Sequence, residues 1–347
     1  MHTSSRHYVL VSDALTSEET EALEAIARAS DGRWSILKAN VDTDAGQLPL
    51  EEIGVIYISV DVLGESSKMQ LTRLMSLFCE VALKSPSLQW LQASSAGLDR
   101  PQYQALLERG VAVTHAGGIA ATTVAHSAVA GLLALGRDLP RFMSMQHNRQ
   151  WMPARGPDAP QDISGQTAIV VGLGAIGREI ARLCIALGLH VTGFNRSGIC
   201  PPNLDIEVHG IAEFDDYVGK TDWLILSCPL TEETRHLVEE QHFRCMKPSA
   251  RLVDVSRGGV VDSAALLTAL REGALAGAYL DVFETEPLPA DSPFWTLPNT
   301  IITPHAAGDS AGRGRKLTEL FIKNLERHVS GRSLINKAES KTPATRP

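Results

Sequence analysis

Apolar positions along this chain follow two alternating rhythms. Short runs rich in β-branched and aromatic residues, "YVLVSD", "VIYISV", "LQWLQAS" and "VAVTHA", predict strands. Between them, "LTSEETEALEAIARAS", "KMQLTRLMSLFCEVALKS" and "RPQYQALLERG" repeat their apolar residues at helical spacing. The first of these has Thr16 or Ser17 as its N-cap and acids in its first turn, and the last stops at Gly110. Strands alternating with helices in this way imply a parallel sheet. Near residue 118 the texture changes. "GGIAATTVAHSAVAGLLALGRDLPRFMSMQHNRQW" reads as a long helix followed by a second, amphipathic stretch, and "MPARGPDAPQD" as a Pro/Gly-rich loop. A second series of strands follows: "TAIVVG", "HVTGFN", "WLILS", "RLVDVS", "AGAYLDV" and "TIITP". The chain closes with one long helical run, "RGRKLTELFIKNLERHVSG", and a polar tail, "ESKTPATRP", expected to be disordered. No repeat of solenoid type is present.

Composition narrows the class. The 347 residues have room for about two domains. Hydrophobic residues at 44% and charged residues at 21% are those of an ordinary globular protein. A net charge of −8 offers no basic field to nucleic acid or to an anionic membrane. No apolar run approaches the length of a membrane span, and "YVLV" is too short for a signal-peptide core. The five cysteines, Cys79, Cys184, Cys200, Cys228 and Cys245, are scattered and form no C-x-x-C pair. They argue against a disulfide framework or a zinc site, so a cytoplasmic protein without a metal is expected.

The most informative segment is "TAIVVGLGAIGREIARLCIALGLHVTGFN". A β-branched strand runs into Gly172, Gly174 and Gly177, and the last of these opens a helix. In that context G-x-G-x-x-G is a dinucleotide-phosphate loop. Gly172 permits the tight turn, Gly174 the approach of a pyrophosphate, and Gly177 the packing of helix on strand. The second strand of such a unit ordinarily ends in an acid that binds the ribose, about 20 residues on. Here Asn195 stands there, 18 residues beyond Gly177, followed by Arg196 and Ser197. An acid would repel a 2′-phosphate. Asn195 removes that repulsion, Arg196 can clamp a phosphate and Ser197 can donate to it. NADP(H) is therefore expected as the preferred cofactor, with NAD(H) as the lesser one.

Three further stretches each follow a predicted strand: "DVSRGGVVD" with Arg257, "LDVFETEPLP" with Glu286, and "IITPHAAG" with His305. In an open parallel sheet these strand ends form the ligand-binding edge. Together with "WLQASSAGLD", "CPLTEETRHLV", "GALAGAYLDVFETEPLP", "SPFWTLPNTIITPH" and the terminal helix, they resemble the D-isomer-specific 2-hydroxyacid dehydrogenases over nearly the whole chain. The overall look is nearest the glyoxylate and hydroxypyruvate reductase-like branch.

The resemblance implies an α/β architecture of two Rossmann-like or flavodoxin-like domains with parallel sheets. The NAD(P)-binding Rossmann domain (119–307) is inserted in a discontinuous substrate domain (1–118 plus 308–347). It implies reduction of a small 2-oxo acid to the D-2-hydroxy acid by hydride transfer. Arg257 would hold the substrate carboxylate and carbonyl, His305 would be the general acid and base, and Glu286 would favour its protonated form. Asp281 would bind the nicotinamide carboxamide. Ser95, Ala96 and Gly97 would offer backbone N–H groups to the substrate. Ala175, Ile176, Cys228, Pro229 and Ser256 would line the cofactor beside the glycine loop. "LPRFMSMQHNRQW" resembles the arm through which this family dimerises, so a homodimer is expected. Two departures stand out: Ser95 and Ala96 occupy a loop that usually has one more glycine, and His126 stands where the family usually has Glu. The competing reading is a dinucleotide-sensing dimeric co-regulator on the same fold.

Overall fold

Among the described residues, twelve strands form two sheets, and every strand pairing in both is parallel. The computed structural model describes residues 6–30, 32–66 and 70–338. The polar tail and the first residues of "KMQLTRLMSLFCEVALKS" lie outside them. The chain divides into two compact units, Met1–Ile119 with Ser310–Pro347, and Ala120–Asp309.

In the first unit, strands β1 (His7–Ser12), β2 (Trp34–Ala39), β3 (Ile53–Tyr57), β4 (Trp90–Gln92) and β5 (Ala112–Thr114) lie in the order β2-β1-β3-β4-β5. This is the flavodoxin-like order. β3 is buried at every position because helices cover both faces of the sheet, which explains its continuous apolar run. Helix Ser17–Arg28 begins with a capping box in which Thr16 and Glu19 satisfy each other's backbone N–H groups. Helix Arg73–Lys84 is capped by Thr72, and helix Pro101–Glu108 has Pro101 at its first turn.

The C-terminal helix, Arg313–Val329, joins this unit although nearly two hundred residues of chain separate it from β5. Phe321 stacks on Tyr57 at 4.3 Å and lies 5.2 Å from Trp90, so the helix is bound first by aromatic burial. A buried polar network then sets its register. Trp90 Nε1 donates to Thr114 Oγ1 (2.8 Å), Thr114 Oγ1 donates to Gln92 Oε1 (2.8 Å), and Asn324 Nδ2 donates to the same Gln92 oxygen (3.0 Å). Asn324 also pairs with both backbone groups of Ile335 (2.7 and 3.1 Å).

In the second unit, β6 (Thr167–Val171), β7 (His190–Asn195), β8 (Glu207–Gly210), β9 (Trp223–Leu226), β10 (Arg251–Asp254), β11 (Gly277–Leu280) and β12 (Thr300–Ile302) form a seven-stranded sheet. Its order, β12-β11-β10-β9-β6-β7-β8, reverses direction of build between β6 and β9, as in a doubly wound dinucleotide fold. β9 is buried along its whole length, and Trp223 on it donates to Gln166 Oε1 at 2.6 Å. The long helical reading after residue 118 resolves into helices Ala121–Gly136 and Leu139–His147. The break falls at Asp138, which sits in the left-handed region at φ 56°, with Pro140 just inside the second helix.

Two strands have no counterpart in the apolar pattern: β2, at one edge of its sheet, and β8, at the edge of the other. Edge strands are half solvated, so "EVHG" shows no apolar run at all. The run "VIYISV" ends as a strand at Tyr57, and Val60 already begins a short helix.

Replacing Asn324 with Ala would remove one of the two donors to the buried Gln92 Oε1 and both partners of the Ile335 backbone at the end of the helix. We expect Asn324→Ala to cost about 2–4 kcal/mol. Chemical denaturation read by tryptophan fluorescence should show a lower midpoint; an unchanged midpoint would mean that the network does not hold the helix.

Candidate active site

The second sheet delivers its loops at one edge, and the glycine turn is the first of them. β6 ends in Gly172, at φ 91°, where a side chain would meet the Cys228 backbone at 2.6 Å. Only glycine allows both that dihedral and that approach. At Gly177 a side chain would lie 1.8 Å from the Gly172 carbonyl oxygen, so the helix Ala175–Ala186 packs directly on the turn. Ser227 Oγ secures the turn by donating to Gly172 O at 2.8 Å. Gly174, the N-cap of that helix, is exposed, and the space where its side chain would be is open. The N-cap offers no side-chain hydrogen bond, and the first residues of the helix, Ala175 and Ile176, are exposed and partly exposed. Exposed N–H groups at the positive end of a helix fit a pyrophosphate.

At the end of β7, Asn195 folds its own loop. Its Oδ1 accepts from Ser197 N (3.0 Å), Ser197 Oγ (3.1 Å) and Gly198 N (2.7 Å), and its Nδ2 donates to Ile199 O (2.8 Å). This is an Asx-type turn. Asn195 and Ser197 are therefore engaged with each other. Arg196, between them, is exposed, and no hydrogen bond or ion pair of its guanidinium occurs among the described residues. Cys228 and Pro229 follow β9, Cys228 buried and Pro229 exposed. Burial pushes the Cys228 thiol up to about 12, so it stays protonated at neutral pH.

The next three strand ends carry the ionisable groups. Ser256 is buried after β10, and its carbonyl accepts from Arg257 Nη1 at 2.6 Å. Asp281, buried at the end of β11, organises the loop after β12. Its Oδ1 accepts from Thr303 Oγ1 (2.6 Å), Ala306 N (2.9 Å) and Ala307 N (3.0 Å), and its carbonyl accepts from His305 N (2.9 Å). Burial pushes the Asp281 carboxyl up, and the three donors oppose that. His305 thus occupies the left-handed region at φ 54°, a strained setting held by its neighbours.

His305 Nδ1 lies 2.8 Å from Glu286 Oε2, while Glu286 Oε1 accepts from Phe283 N at 3.1 Å. The bond to Glu286 holds His305 above the ordinary histidine value, against desolvation and the nearby charge of Arg257. A half-exposed imidazolium, oriented by a carboxylate and accompanied by a guanidinium, can deliver a proton beside a bound anion.

The structure thus brings Arg257, Glu286, His305, Ser256 and Asp281 to the same edge as Gly172, Gly174, Ala175, Ile176, Gly177, Asn195, Arg196, Ser197, Cys228 and Pro229. Ser95, Ala96 and Gly97 belong to the first unit, on the loop after β4. Ser95 Oγ donates to Gly97 O at 2.7 Å, and among the described residues the N–H groups of these three have no acceptor in the chain. Two supports escaped the sequence reading: Ser227 under the glycine turn, and Asp254, a buried acid that ends β10. Among the described residues no cluster of His, Cys, Asp and Glu could hold a metal, and no helix is long and apolar enough to cross a membrane.

Comparison with known proteins agrees with this arrangement. Residues 129–307 match the family model for the D-isomer specific 2-hydroxyacid dehydrogenase, NAD binding domain. A glyoxylate reductase of Korarchaeum cryptofilum is 33% identical over 272 residues, which span 77% of this chain and 81% of that protein. A D-isomer specific 2-hydroxyacid dehydrogenase family protein from Aeromonas salmonicida superposes with a TM-score of 0.75 at 30% identity, covering 97% of this chain and 100% of the other. A D-isomer specific 2-hydroxyacid dehydrogenase from Xanthobacter autotrophicus Py2, solved with NADPH and MES, gives 0.71 at 25% identity, with 97% and 99% covered. A family match over half the chain, joined to a relative sharing a third of its residues, means that this chain belongs to the D-isomer-specific 2-hydroxyacid dehydrogenases and works with a nicotinamide dinucleotide.

Proposed function

We propose that the protein reduces a small 2-oxo acid of the glyoxylate or hydroxypyruvate type to the D-2-hydroxy acid, with NADPH as its preferred cofactor. The observation that carries this reading is the His305–Glu286 pair at 2.8 Å, on the sheet edge that also bears Arg257 and the glycine turn. The reduced nicotinamide supplies the hydride to the carbonyl carbon. His305 gives its proton to the carbonyl oxygen, which completes the alcohol, and takes one back in the reverse direction. Arg257 holds the substrate carboxylate and orients the 2-oxo group with its planar fork. Ser95, Ala96 and Gly97 would offer their backbone N–H groups to a substrate carboxylate. Asp281 fixes the His305 loop through Oδ1, and its other oxygen would hold the carboxamide of the nicotinamide.

Cofactor choice rests on Arg196. With Asn195 and Ser197 committed to their own turn, its guanidinium is the charge left to meet a 2′-phosphate. The glyoxylate reductase of Korarchaeum cryptofilum and the NADPH complex of the Xanthobacter dehydrogenase support the substrate class and the cofactor. We further assign a homodimer built through residues 139–151, where Met143 is 67% exposed and Trp151 96% exposed, an amount of bare apolar surface that a partner would cover. A cytoplasmic location fits the five free cysteines. Sedimentation equilibrium should give twice the 37.4 kDa chain mass; a monomer at micromolar concentration would refute the arm assignment.

Because Glu286 holds the His305 pKa above its ordinary value, the imidazolium persists to higher pH than that of a free histidine. The stability this adds is complete below the free-histidine value and is lost as pH rises through the raised one. Reduction should fall over that same upper range. Glu286→Gln should move the alkaline limb of kcat/KM to lower pH and reduce kcat by about 10²-fold. An unmoved limb would separate Glu286 from the titration.

Steady-state oxidation of NADPH and of NADH should be measured with glyoxylate, hydroxypyruvate, pyruvate and phenylpyruvate. We expect kcat/KM at least about tenfold higher with NADPH, and Arg196→Ala to remove most of that difference, as loss of one charge-assisted contact. Equal use of both cofactors by the unaltered enzyme would sink the reading of Arg196. Tight cofactor binding without turnover of any acid would favour a dinucleotide-sensing role.

A further inference from the structure

Asp254 is the last residue of β10 and is 3% exposed. Among the described residues its carboxylate has one hydrogen-bond partner, Ser256, which donates to Oδ1 through both its backbone N–H, at 2.9 Å, and its hydroxyl. The carbonyl of Ser256 in turn accepts from Arg257 Nη1 at 2.6 Å. Asp254, Ser256 and Arg257 thus form one continuous chain of hydrogen bonds, with the guanidinium at its open end.

The far side of this loop is closed as tightly. A side chain at Gly258 would lie 1.9 Å from Phe283 O, so the Arg257 loop is pressed against the backbone leading to Glu286. Asp281 N donates to Asp254 O at 3.0 Å, which ties the two strand ends together. Asp254 and Asp281 are alike in being buried carboxylates at strand ends that accept from loop donors: Asp254 from Ser256 on its own loop, Asp281 from Thr303, Ala306 and Ala307 on the loop after β12.

We infer that Asp254 is a positioning residue, which holds the guanidinium of Arg257 in place through Ser256 and whose ionisation state sets how strongly that guanidinium attracts the substrate anion. This rests on the reading that Arg257 binds the substrate carboxylate. The charged or titratable groups facing Asp254 are Asp281 from the end of β11, Arg257 on its own loop and the Cys228 thiol after β9. Burial, joined by the repulsion of Asp281, pushes the Asp254 carboxyl up to about 7, while Ser256 and Arg257 oppose the rise. Below that pH the neutral acid still accepts both Ser256 bonds and leaves the charge of Arg257 uncompensated. Above it a carboxylate lies behind the guanidinium and offsets part of that charge. Affinity for an anionic substrate should therefore fall as pH rises through neutrality, over and above the effect of the proton on His305, which Asp254→Asn leaves in place.

The test uses the enzyme saturated with NADPH, glyoxylate as substrate and oxamate as a non-reducible probe, from pH 6 to 9. Asp254→Asn keeps an acceptor for Ser256 and cannot ionise. Its KM and its oxamate Kd should match those of the unaltered enzyme within about twofold at pH 6. They should become about threefold to tenfold lower than those of the unaltered enzyme above pH 8. Asp254→Ala, which removes the acceptor, should raise KM about tenfold while NADPH affinity holds. The inference is overturned if Asp254→Asn follows the pH dependence of the unaltered enzyme, a comparison that stands even where Asp254→Ala fails to fold. It is also overturned if Asp254→Ala lowers NADPH affinity and substrate affinity by the same factor, the mark of a merely structural role. Arg257→Gln separates the two levels. If it raises KM by about a hundredfold or more while both Asp254 variants leave KM unchanged at every pH, only the present inference falls. If Arg257→Gln leaves KM unchanged, the reading of Arg257 falls first.

Discussion

One carboxylate carries much of the site. Asp281 ends β11 with its side chain buried, and three donors from the loop after β12 converge on a single one of its oxygens. An unsatisfied buried carboxylate is costly, and so is a non-glycine residue at positive φ. Here each offsets the other, because the turn that strains His305 is the one that brings Ala306 N and Ala307 N to Asp281. The imidazole leaves that turn already aimed at Glu286, so its pairing needs little further ordering. Strain in the backbone and desolvation of an acid are thereby converted into a fixed position for one side chain.

The parallel sheet makes this arrangement available. Since every strand of the second unit runs the same way, each supplies the same end to one edge, and residues far apart in sequence meet there. Glycine at 172 and 177 then lets the phosphate turn lie flat on the neighbouring strand end, where any side chain would collide. The sheet sets where groups meet, and local turns set which way they point.

That division explains what could be read from the sequence. Strands buried on both faces, such as β3 and β9, announce themselves as continuous apolar runs, and the glycine spacing identifies a phosphate turn by steric necessity. His305, Glu286 and Arg257 stood out because each follows a strand that its apolar residues mark, β12, β11 and β10. β2 and β8 were not, since an edge strand needs few apolar residues to be paired. Asp254 was equally hidden: in "LVDVS" it is one acid among forty acidic residues, and only its burial and its bonds to Ser256 set it apart. The side chain of Asn195 was legible as the absence of an acid. Its three accepted hydrogen bonds depend on the path of the four residues after it, which residue type alone does not give.

The Asn195 turn bears on cofactor choice beyond the simple removal of a negative charge. A surface arginine ordinarily has a flexible backbone and a flexible side chain to order when it binds. Asn195 closes the loop with bonds to Ser197, Gly198 and Ile199, so the backbone around Arg196 is already ordered. If Arg196 engages a 2′-phosphate as proposed, the ordering cost would be confined to its side chain, and more of the charge-assisted bond would survive as affinity. An aspartate at 195 could accept the same turn bonds from Ser197 and Gly198, and it would place a negative charge beside the same guanidinium. Asparagine keeps the acceptor and omits the charge, so one residue preserves the loop's shape while leaving the field of Arg196 uncancelled.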